Sequence, residues 1–241
     1  YRSIRGEPLR RLYTQRPGDV RDVRERYRHF EADIPFATRF MIDSGLTGGV
    51  SVPDTTVNFN DISPADVDAP ARTCIIDIEC EDDRGFPDTQ RDAITCITCH
   101  DSFDNDYTTF LLASGPGGGS PAIAAKEKEG GLENGCFRQG THTICTYADE
   151  TSMLRAFAAY IVARDPDVLS GWNFVDFDMP YITGRMEKLG LRADSLARLP
   201  GQTERNALRG RALFDLLTAY KKMHSSLKES YRLDAVAMEE L

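Results

Sequence analysis

Apolar and polar residues alternate in several segments of the middle of the chain, and this period of two predicts β-strands. The first strand is predicted over 73–80, the second over 92–101 and the third over 106–112. Shorter apolar segments predict further strands over 141–147, 167–171 and 211–214. These strands alone account for a sheet of at least six members.

Helical spacing of apolar residues appears after several of these strands. A helix is predicted over 149–164, where Asp149 is expected to cap the first turn and one face carries Leu154, Phe157, Ala158 and Ile161. A second helix is predicted over 178–189, and a third follows the strand at 211–214 and ends at His224. Three opening strands followed by alternating helices and strands indicate an α/β fold with a mixed sheet.

The N-terminal part of the chain has a different pattern. A strand is predicted over 8–14, a basic helix over 20–29 and a helix over 35–45 that ends in glycine. The segment 47–70 is rich in Gly, Pro and Asp and is expected to bridge two domains. The predicted domains are therefore 1–70 and 71–241. Within the second predicted domain, the Gly-rich segment 114–120 predicts a loop, and the polar segment 121–141 predicts a surface insertion.

Two carboxylates interrupt the apolar strand 73–80. Alternation places Asp77 and Glu79 on the same face, about 6–7 Å apart along the strand. A strand core rarely carries acids unless they are paired or bind a metal, and oxygen ligands of this kind suit Mg²⁺ or Mn²⁺. The alternative interpretation is a pair of acids at a solvated sheet edge.

A second motif makes a functional interpretation of Asp77 and Glu79 more specific. Residues 171–181 read G-W-N-F-V-D-F-D-M-P-Y, and they follow Asp77 and Glu79 by nearly a hundred positions. The two motifs, in this order and at this separation, resemble the first two exonuclease motifs of family B DNA polymerases. Further matching segments are 213–217 and 230–237 and, upstream, 11–13, 17–28 and 33–46.

The resemblance implies a ribonuclease-H-like 3′–5′ exonuclease fold, preceded by part of an α+β N-terminal domain. It also implies two divalent ions, which in such a site generate a nucleophilic water and stabilise the leaving oxygen. Asp77, Glu79 and Asp178 match the family's first three catalytic and metal-binding carboxylates. For Asp178 the alternative is a carboxylate that only stabilises the helix N-terminus.

The fourth carboxylate of the family lies in a Y-x-x-x-D motif. Here Tyr231 and Asp234 are separated by only two residues, so Asp234 is interpreted as the start of a structural helix. The last motif is expected beyond Leu241, and the chain is interpreted as a fragment with weak or no activity on its own.

Three further residues are candidate substrate contacts. Asn173 either caps a local turn or contacts the DNA strand, and Phe177 is either a core residue or a contact. Phe86 follows the acidic strand on a loop, where an aromatic ring can stack on a terminal base or pack into the core. Upstream, Pro35 and Phe36 resemble part of the uracil-sensing pocket of archaeal family B polymerases, with a simple helix start as the alternative.

Charge is distributed unevenly along the chain. The formal net charge is −9, yet the first 30 residues hold nine Arg against four acids. Lysine is scarce at 6 residues and aspartate abundant at 24, a composition that resembles proteins of salt-loving archaea. At molar salt the Debye length falls to about 3 Å, so an acidic surface would repel DNA little. An ordinary acidic surface encoded by a GC-rich genome is the alternative.

The segment 96–100 has the spacing C-x-x-C-H, which is typical of haem attachment and, through C-x-x-C, of metal binding. This segment lies in a predicted strand, where Cys96 and Cys99 face opposite sides and cannot chelate one ion together. Free, partly buried thiols in a reducing cytosol are therefore expected for the six cysteines.

The main hypothesis, which the resemblance and the composition together imply, is the proofreading exonuclease part of an archaeal, halophilic family B DNA polymerase. The implied partners are the single-stranded 3′ end, the primer–template, the rest of the polymerase and a sliding clamp. No run of eighteen apolar residues is present, so a cytoplasmic protein without a membrane partner is expected. Two alternatives remain: a non-catalytic DNA-guiding module, and a free-standing nuclease of the same fold.

Overall fold

The computed structural model describes residues 1–113, 131–132, 135–199, 207–224 and 228–241. The chain divides into two compact units, Tyr1–Pro70 and Ala71–Leu241. The predicted loop at 114–120 and most of the predicted insertion at 121–141 lie outside the described residues.

The first unit is built from short elements. Its helices are α1 (Asp19–Arg24) and α2 (Phe36–Ser44), and its two-stranded antiparallel sheet pairs β1 (Val50–Ser51) with β2 (Ser63–Pro64). The C-cap Gly45 has a positive φ of 68°, which ends α2 as expected. The prediction of a strand over 8–14 is wrong, since Pro8 forms only an isolated bridge with Arg2. The predicted basic helix is also shorter than expected, because α1 ends at Arg24.

The second unit is an eight-stranded mixed sheet with the order β10-β9-β3-β4-β5-β8-β7-β6. The strands are β3 (Thr73–Cys80), β4 (Ile94–Asp101), β5 (Asp106–Leu112), β6 (Gly131–Leu132), β7 (Cys136–Gln139), β8 (His142–Tyr147), β9 (Val168–Gly171) and β10 (Ala212–Asp215). Strands β10, β9 and β3 run parallel, as do β5 and β8, and the other pairs are antiparallel. The mixed α/β prediction is confirmed.

Strands β6 and β7 correct the prediction for 121–141. Part of that segment is not a simple surface insertion, because β7 pairs with β8 and β6 pairs with β7 at the sheet's edge. Polar composition concealed this pairing, since an edge strand with one solvated face needs few apolar residues.

Strand β3 separates a buried face of the sheet from an open one. Cys74, Ile76 and Ile78 are buried, whereas Asp77 and Glu79 are exposed on the opposite face. Helix α3 (Glu150–Arg164) packs against the buried face, where Phe157 meets the ring of Phe110 edge-on. Asp149 caps α3 by accepting a hydrogen bond from the backbone N–H of Ser152 at 2.8 Å, as the sequence predicts.

The remaining helices follow β9, β10 and the C-terminal loop. They are α4 (Asp178–Lys188), α5 (Leu216–Met223) and α6 (Leu233–Glu240). A buried ion pair joins α3 to α4, because Arg185 donates two hydrogen bonds to the carboxylate of Glu150. The same guanidinium donates to the carbonyl of Thr89 at 2.8 Å, which ties α4 to the loop between β3 and β4. No helix among the described residues combines the length and apolarity needed to cross a membrane.

Two cysteines depart from the expectation of free thiols. Cys136 and Cys145 face each other across β7 and β8 and form a disulfide bond. The pairing could not be inferred from spacing, because it depends on the register of two strands of which one was not predicted. Cys74, Cys80, Cys96 and Cys99 are free, and Cys99 is buried whereas Cys96 is half-buried on the other face of β4. The opposite facing of Cys96 and Cys99 is thus confirmed, and their failure to bind zinc or haem remains a prediction.

Replacing Cys145 with serine is expected to lower the free energy of unfolding of the oxidised chain by about 2–3 kcal/mol. The disulfide closes a loop with a sequence separation of 9 residues, and a loop of this size restricts the unfolded chain by about that amount. Urea unfolding of the wild type and the variant, with and without a thiol reductant, measures this. A stability difference that persists undiminished under reduction would assign the effect to side-chain packing instead.

Candidate active site

The candidate site lies at the carboxyl-terminal edge of the parallel strands. Strand β9 pairs with β3 only over Thr73–Ile75, so the later residues of β3 extend past β9. The loop that follows β9 and the helix α5 that follows β10 begin at this same edge, because these strands run parallel to β3. Side chains that are distant in sequence therefore meet where β3 has no parallel neighbour, as is common for ligand sites in α/β sheets.

Gly171 permits this close approach. A Cβ atom at this position would lie 2.4 Å from the carbonyl oxygen of Ile76 and 3.2 Å from Cβ of Phe174. Any other residue would push β9 away from β3, so the glycine of the G-W-N motif is required sterically.

Asp178 occupies the gap beside β3. Its side chain is only 3% exposed, and its Oδ1 accepts a hydrogen bond from the backbone N–H of Ile78 at 3.2 Å. Burial, followed by the negative charge of Asp77, raises the pKa of the Asp178 carboxyl to about 7. A buried carboxylate next to a second one is unfavourable without a positive charge nearby. Asp178 also begins α4, so the capping interpretation and a role in cation binding are compatible.

Asp77 and Glu79 differ in how they relate to Asp178. Asp77 is solvent-accessible, but partial desolvation by the surrounding protein raises the pKa of its carboxyl, and its charge acts on Asp178. Glu79 lies two residues further along the same face and is exposed. Within the part of the chain that the structure describes, no three His, Cys, Asp or Glu side chains are grouped closely enough to hold a metal ion.

The donor chemistry nevertheless fits a hard divalent cation. Asp77 and Asp178 are oxygen donors of the kind that such cations prefer, and a bound cation would offset the burial and the like charge that raise the pKa of Asp178. The structure thus brings Asp77 and Asp178 together. The carboxylate of Glu79 is not grouped with them closely enough to complete a metal site.

The loop between β9 and α4 carries Asn173 and Phe177. Asn173 has a positive φ of 61°, and its carbonyl accepts a hydrogen bond from the backbone N–H of Phe177 at 2.9 Å. Asparagine tolerates this left-handed conformation better than most residues. The local-turn interpretation of Asn173 is therefore supported by its backbone, while its half-buried side chain is left for contacts at the site.

Three aromatic rings form a row beside the site. Phe86 is 82% exposed and meets the ring of Phe177 edge-on, with centroids 5.8 Å apart. The centroid of the Phe177 ring in turn lies 5.6 Å from that of Tyr181 of α4, whose hydroxyl donates to the carbonyl of Asp92 at 2.9 Å. Phe177 is thus a half-buried support, which leaves the exposed ring of Phe86 as the candidate stacking surface.

An open groove of about 670 Å³ adjoins the loop on its other side. Its wall includes the ring of Trp172, whose Nε1–H donates to the carbonyl of Tyr231 at 3.0 Å. The groove is lined by Trp172, Asn173, Leu217, Tyr231, Arg232, Leu233 and Asp234. Asp234 is exposed in the first turn of α6 beside Arg232, which agrees with its interpretation as part of a structural helix.

Sequence reasoning missed Asp215. Its carboxylate accepts hydrogen bonds from the backbone N–H of Val175 at 3.0 Å and of Thr218 at 2.7 Å. The signal was present, because an acid at the end of a strand and the start of a helix is typical of an N-cap. Its contact with the loop of the second motif could not be read from the sequence, since the two are 40 residues apart.

The candidate uracil-pocket residues lie in the first unit. Pro35 is the N-cap residue of α2, and Phe36 begins the helix with 65% of its surface exposed. Both residues thus lie at the start of a helix, as the alternative interpretation expects, and the ring of Phe36 is not buried.

Comparison with known proteins assigns the family. Residues 27–236 match the profile described as "DNA polymerase family B, exonuclease domain". The chain is 26% identical over 252 residues to the DNA polymerase delta catalytic subunit of Dictyostelium discoideum, covering 88% of this chain and 21% of that protein. It is 27% identical over 190 residues to the DNA-directed DNA polymerase of Escherichia phage RB69, covering 70% and 21%.

Archaeal proteins show the same relation. A DNA polymerase of Pyrococcus glycovorans is 26% identical over 248 residues, covering 96% of this chain and 26% of that protein. The structure of the family B DNA polymerase from Pyrobaculum calidifontis matches with a TM-score of 0.59 at 24% identity, covering 92% of this chain and 28% of that one. This chain spans about a fifth to a quarter of the relatives' length.

The sheet order, the carboxylates at its edge and the family match agree on one assignment. The match extends over most of the second unit and includes both motifs. The expected ribonuclease-H-like fold is confirmed. The chain belongs to the exonuclease-domain family of the family B DNA polymerases.

Proposed function

We propose that this chain is the proofreading 3′–5′ exonuclease part of a family B DNA polymerase, together with the end of its N-terminal domain. The observation that carries the proposal is the buried Asp178 carboxylate beside Asp77 at the open edge of β3. Two acids held in this way, with an exposed aromatic ring nearby, suit hydrolysis of a terminal phosphodiester. Within the complete polymerase, this part of the chain would thus remove nucleotides from a 3′ end.

Asp77, Asp178 and, after rotation of its exposed side chain, Glu79 would hold Mg²⁺ or Mn²⁺. When bound, a pair of such ions supplies a water deprotonated near neutral pH and stabilises the leaving oxygen. The chain's own residues orient this arrangement. The N–H of Ile78 fixes Asp178, and the ion pair of Arg185 with Glu150 fixes the helix that begins with it.

The substrate strand would lie across the loop of the second motif. Phe86 would stack on an unpaired terminal base, and Asn173 would contact the strand from the turn. The groove beside Trp172 offers an apolar surface with the exposed cation of Arg232 at its rim. Stacking surfaces combined with cations are typical of single-strand binding sites.

Removing the Phe86 ring is expected to weaken use of single-stranded DNA. Base–aromatic stacking contributes about 1–3 kcal/mol, so Phe86→Ala should lower kcat/KM for 3′ hydrolysis by about 5- to 150-fold. Phe103→Ala is the matched control, because Phe103 is also exposed but follows β4 at the opposite edge of the sheet. Equal losses of kcat/KM in Phe86→Ala and Phe103→Ala would contradict a stacking role for Phe86.

One assay separates the proposal from its alternatives. The complete polymerase is incubated with a duplex that has a mispaired 3′ end, without nucleotides, and released mononucleotides are counted in Mg²⁺, Mn²⁺ or a chelator. Metal-dependent release from the 3′ end supports the proposal. Absence of release supports the DNA-guiding module, and equally fast release by the isolated chain supports a free-standing nuclease.

Several finer predictions accompany this proposal. A haloarchaeal source rests on the Asp-rich, Lys-poor composition. Binding of the primer–template, a sliding clamp partner, a cytoplasmic location and uracil sensing by Pro35 and Phe36 rest on the family resemblance. Retention of uracil sensing would appear as stalling of the complete polymerase ahead of template uracil.

A further inference from the structure

The end of β10 is joined to the loop of the second motif by a single carboxylate. Asp215 is the last residue of β10 and lies in register beside Gly171, the last residue of β9. The loop over 172–177 departs at this point and leads into Asp178. Asp215 is therefore placed where it can hold the loop against the sheet.

Both oxygens of this carboxylate are engaged. One accepts the N–H of Val175 at 3.0 Å, and the other accepts the N–H of Thr218 at 2.7 Å. Val175 lies in the middle of the loop, two residues after Asn173 and three before Asp178. Thr218 lies in the first turn of α5, so Asp215 joins this helix to the loop.

The loop needs such a tie. Asn173 is in the left-handed conformation, which costs free energy for a non-glycine residue and persists where neighbouring contacts enforce it. The Val175 contact restrains the loop from the β10 side, and the bond from Trp172 to the carbonyl of Tyr231 restrains it from the side of α6. Release of the Val175 contact would remove the hydrogen bond that holds the middle of this loop to the end of β10.

We propose that Asp215 is a positioning residue for the exonuclease reaction, acting by fixing the loop that carries Asn173 and leads into Asp178. The inference rests on the proposed function. The inference gives Asp215 a role through the loop and not through contact with the substrate, since each of its oxygens accepts a backbone N–H group. Misplacement of reacting groups by about 1 Å can cost on the order of a hundredfold in rate.

The test uses two variants that each lose an N-cap. Asp215→Ala removes the cap of α5 and the contact with Val175, whereas Asp149→Ala removes only the cap of α3. In the complete polymerase we expect Asp215→Ala to lower kcat for 3′ hydrolysis about 10- to 100-fold with little change in KM or in polymerisation. Asp149→Ala should lose a similar amount of thermal stability and retain its kcat.

Asp215→Asn retains one acceptor oxygen, which is sufficient for the cap of α5, and loses the other acceptor together with the negative charge. An amide has one acceptor oxygen and an NH₂ group, so it cannot accept from both Val175 and Thr218. We expect its kcat to fall while its Tm stays near that of the wild type. Wild-type kcat in Asp215→Ala, or equal kcat losses in Asp215→Ala and Asp149→Ala, would overturn the inference about Asp215 but not the proposed function. A wild-type polymerase without 3′ hydrolysis would instead overturn the proposed function.

Discussion

Replacing both Asp77 and Glu79 with alanine is expected to lower 3′-end hydrolysis by the complete polymerase at least about a thousandfold. A thousandfold corresponds to about 4 kcal/mol of transition-state stabilisation, which is within what metal-ion catalysis supplies. The replacements leave the buried face of β3 intact, because both side chains lie on the exposed face. Folding should therefore be preserved, and the lower rate of 3′-end hydrolysis should result from the missing carboxylates and not from unfolding.

Polymerisation is the internal control for this double variant. The proposed exonuclease site lies in the second unit, and the chain spans only 21% of the DNA polymerase delta catalytic subunit it resembles, so polymerisation is expected to depend on other parts of the complete protein. Nucleotide incorporation on a matched primer should therefore proceed at the wild-type rate, while a mispaired 3′ end should persist. Unchanged removal of the mispaired nucleotide by the double variant would refute the assignment of Asp77 and Glu79.

Asp178→Asn is expected to stabilise the metal-free chain, and the gain should grow with pH. Folding raises the pKa of Asp178 from 3.8 to about 7, so the folded chain retains a proton that the unfolded chain has lost. The contribution of the protonated carboxyl is fully present below pH 3.8 and is lost as the pH rises to 7. One pKa unit corresponds to about 1.4 kcal/mol, so about 3 kcal/mol is lost between pH 5 and pH 8.

Asparagine cannot ionise and can still accept the N–H of Ile78. The difference in unfolding free energy between Asp178→Asn and the wild type should therefore shift by about 3 kcal/mol in favour of the variant between pH 5 and pH 8, in the presence of a chelator. Urea unfolding of the purified chain at the two pH values measures it. A difference independent of pH would mean that Asp178 is not held in an unfavourable electrostatic environment.

Addition of Mn²⁺ at pH 8 should reverse the order of stability. A cation bound only by the folded chain stabilises it in proportion to its occupancy, and Asp178→Asn lacks one charged ligand. The wild type should gain stability from the ion and the variant should gain less. Equal gains would place the bound ion elsewhere.

Several elements of the second unit could be predicted from the sequence, including the strand that carries Asp77 and Glu79. Strands Thr73–Cys80 and Asp106–Leu112 and the helix that ends at Arg164 coincide with their predicted bounds. Their signals are local, because alternation, helical spacing and an N-cap are each defined within a few residues. The N-terminal strand prediction at 8–14 was wrong because few residues of the first unit are buried, so alternation there corresponds to no core face.

Contacts between distant residues could not be predicted. The disulfide of Cys136 with Cys145 depends on the register of an unpredicted strand. Asp215 reaches Val175 only because β9 and β10 are parallel neighbours whose ends coincide. Likewise, the proximity of Asp77 to Asp178 follows from the shortness of β9, which leaves the end of β3 open.

Anomalous scattering from crystals of the complete polymerase soaked in Mn²⁺ tests the central claim most directly. We predict an anomalous peak bonded to carboxylate oxygens of both Asp77 and Asp178, at about 2.1 Å as for small divalent ions, and its loss in Asp178→Asn. Crystals in which Mn²⁺ occupies the polymerase site but gives no peak at Asp77 and Asp178 would contradict the claim that these residues form the exonuclease metal centre.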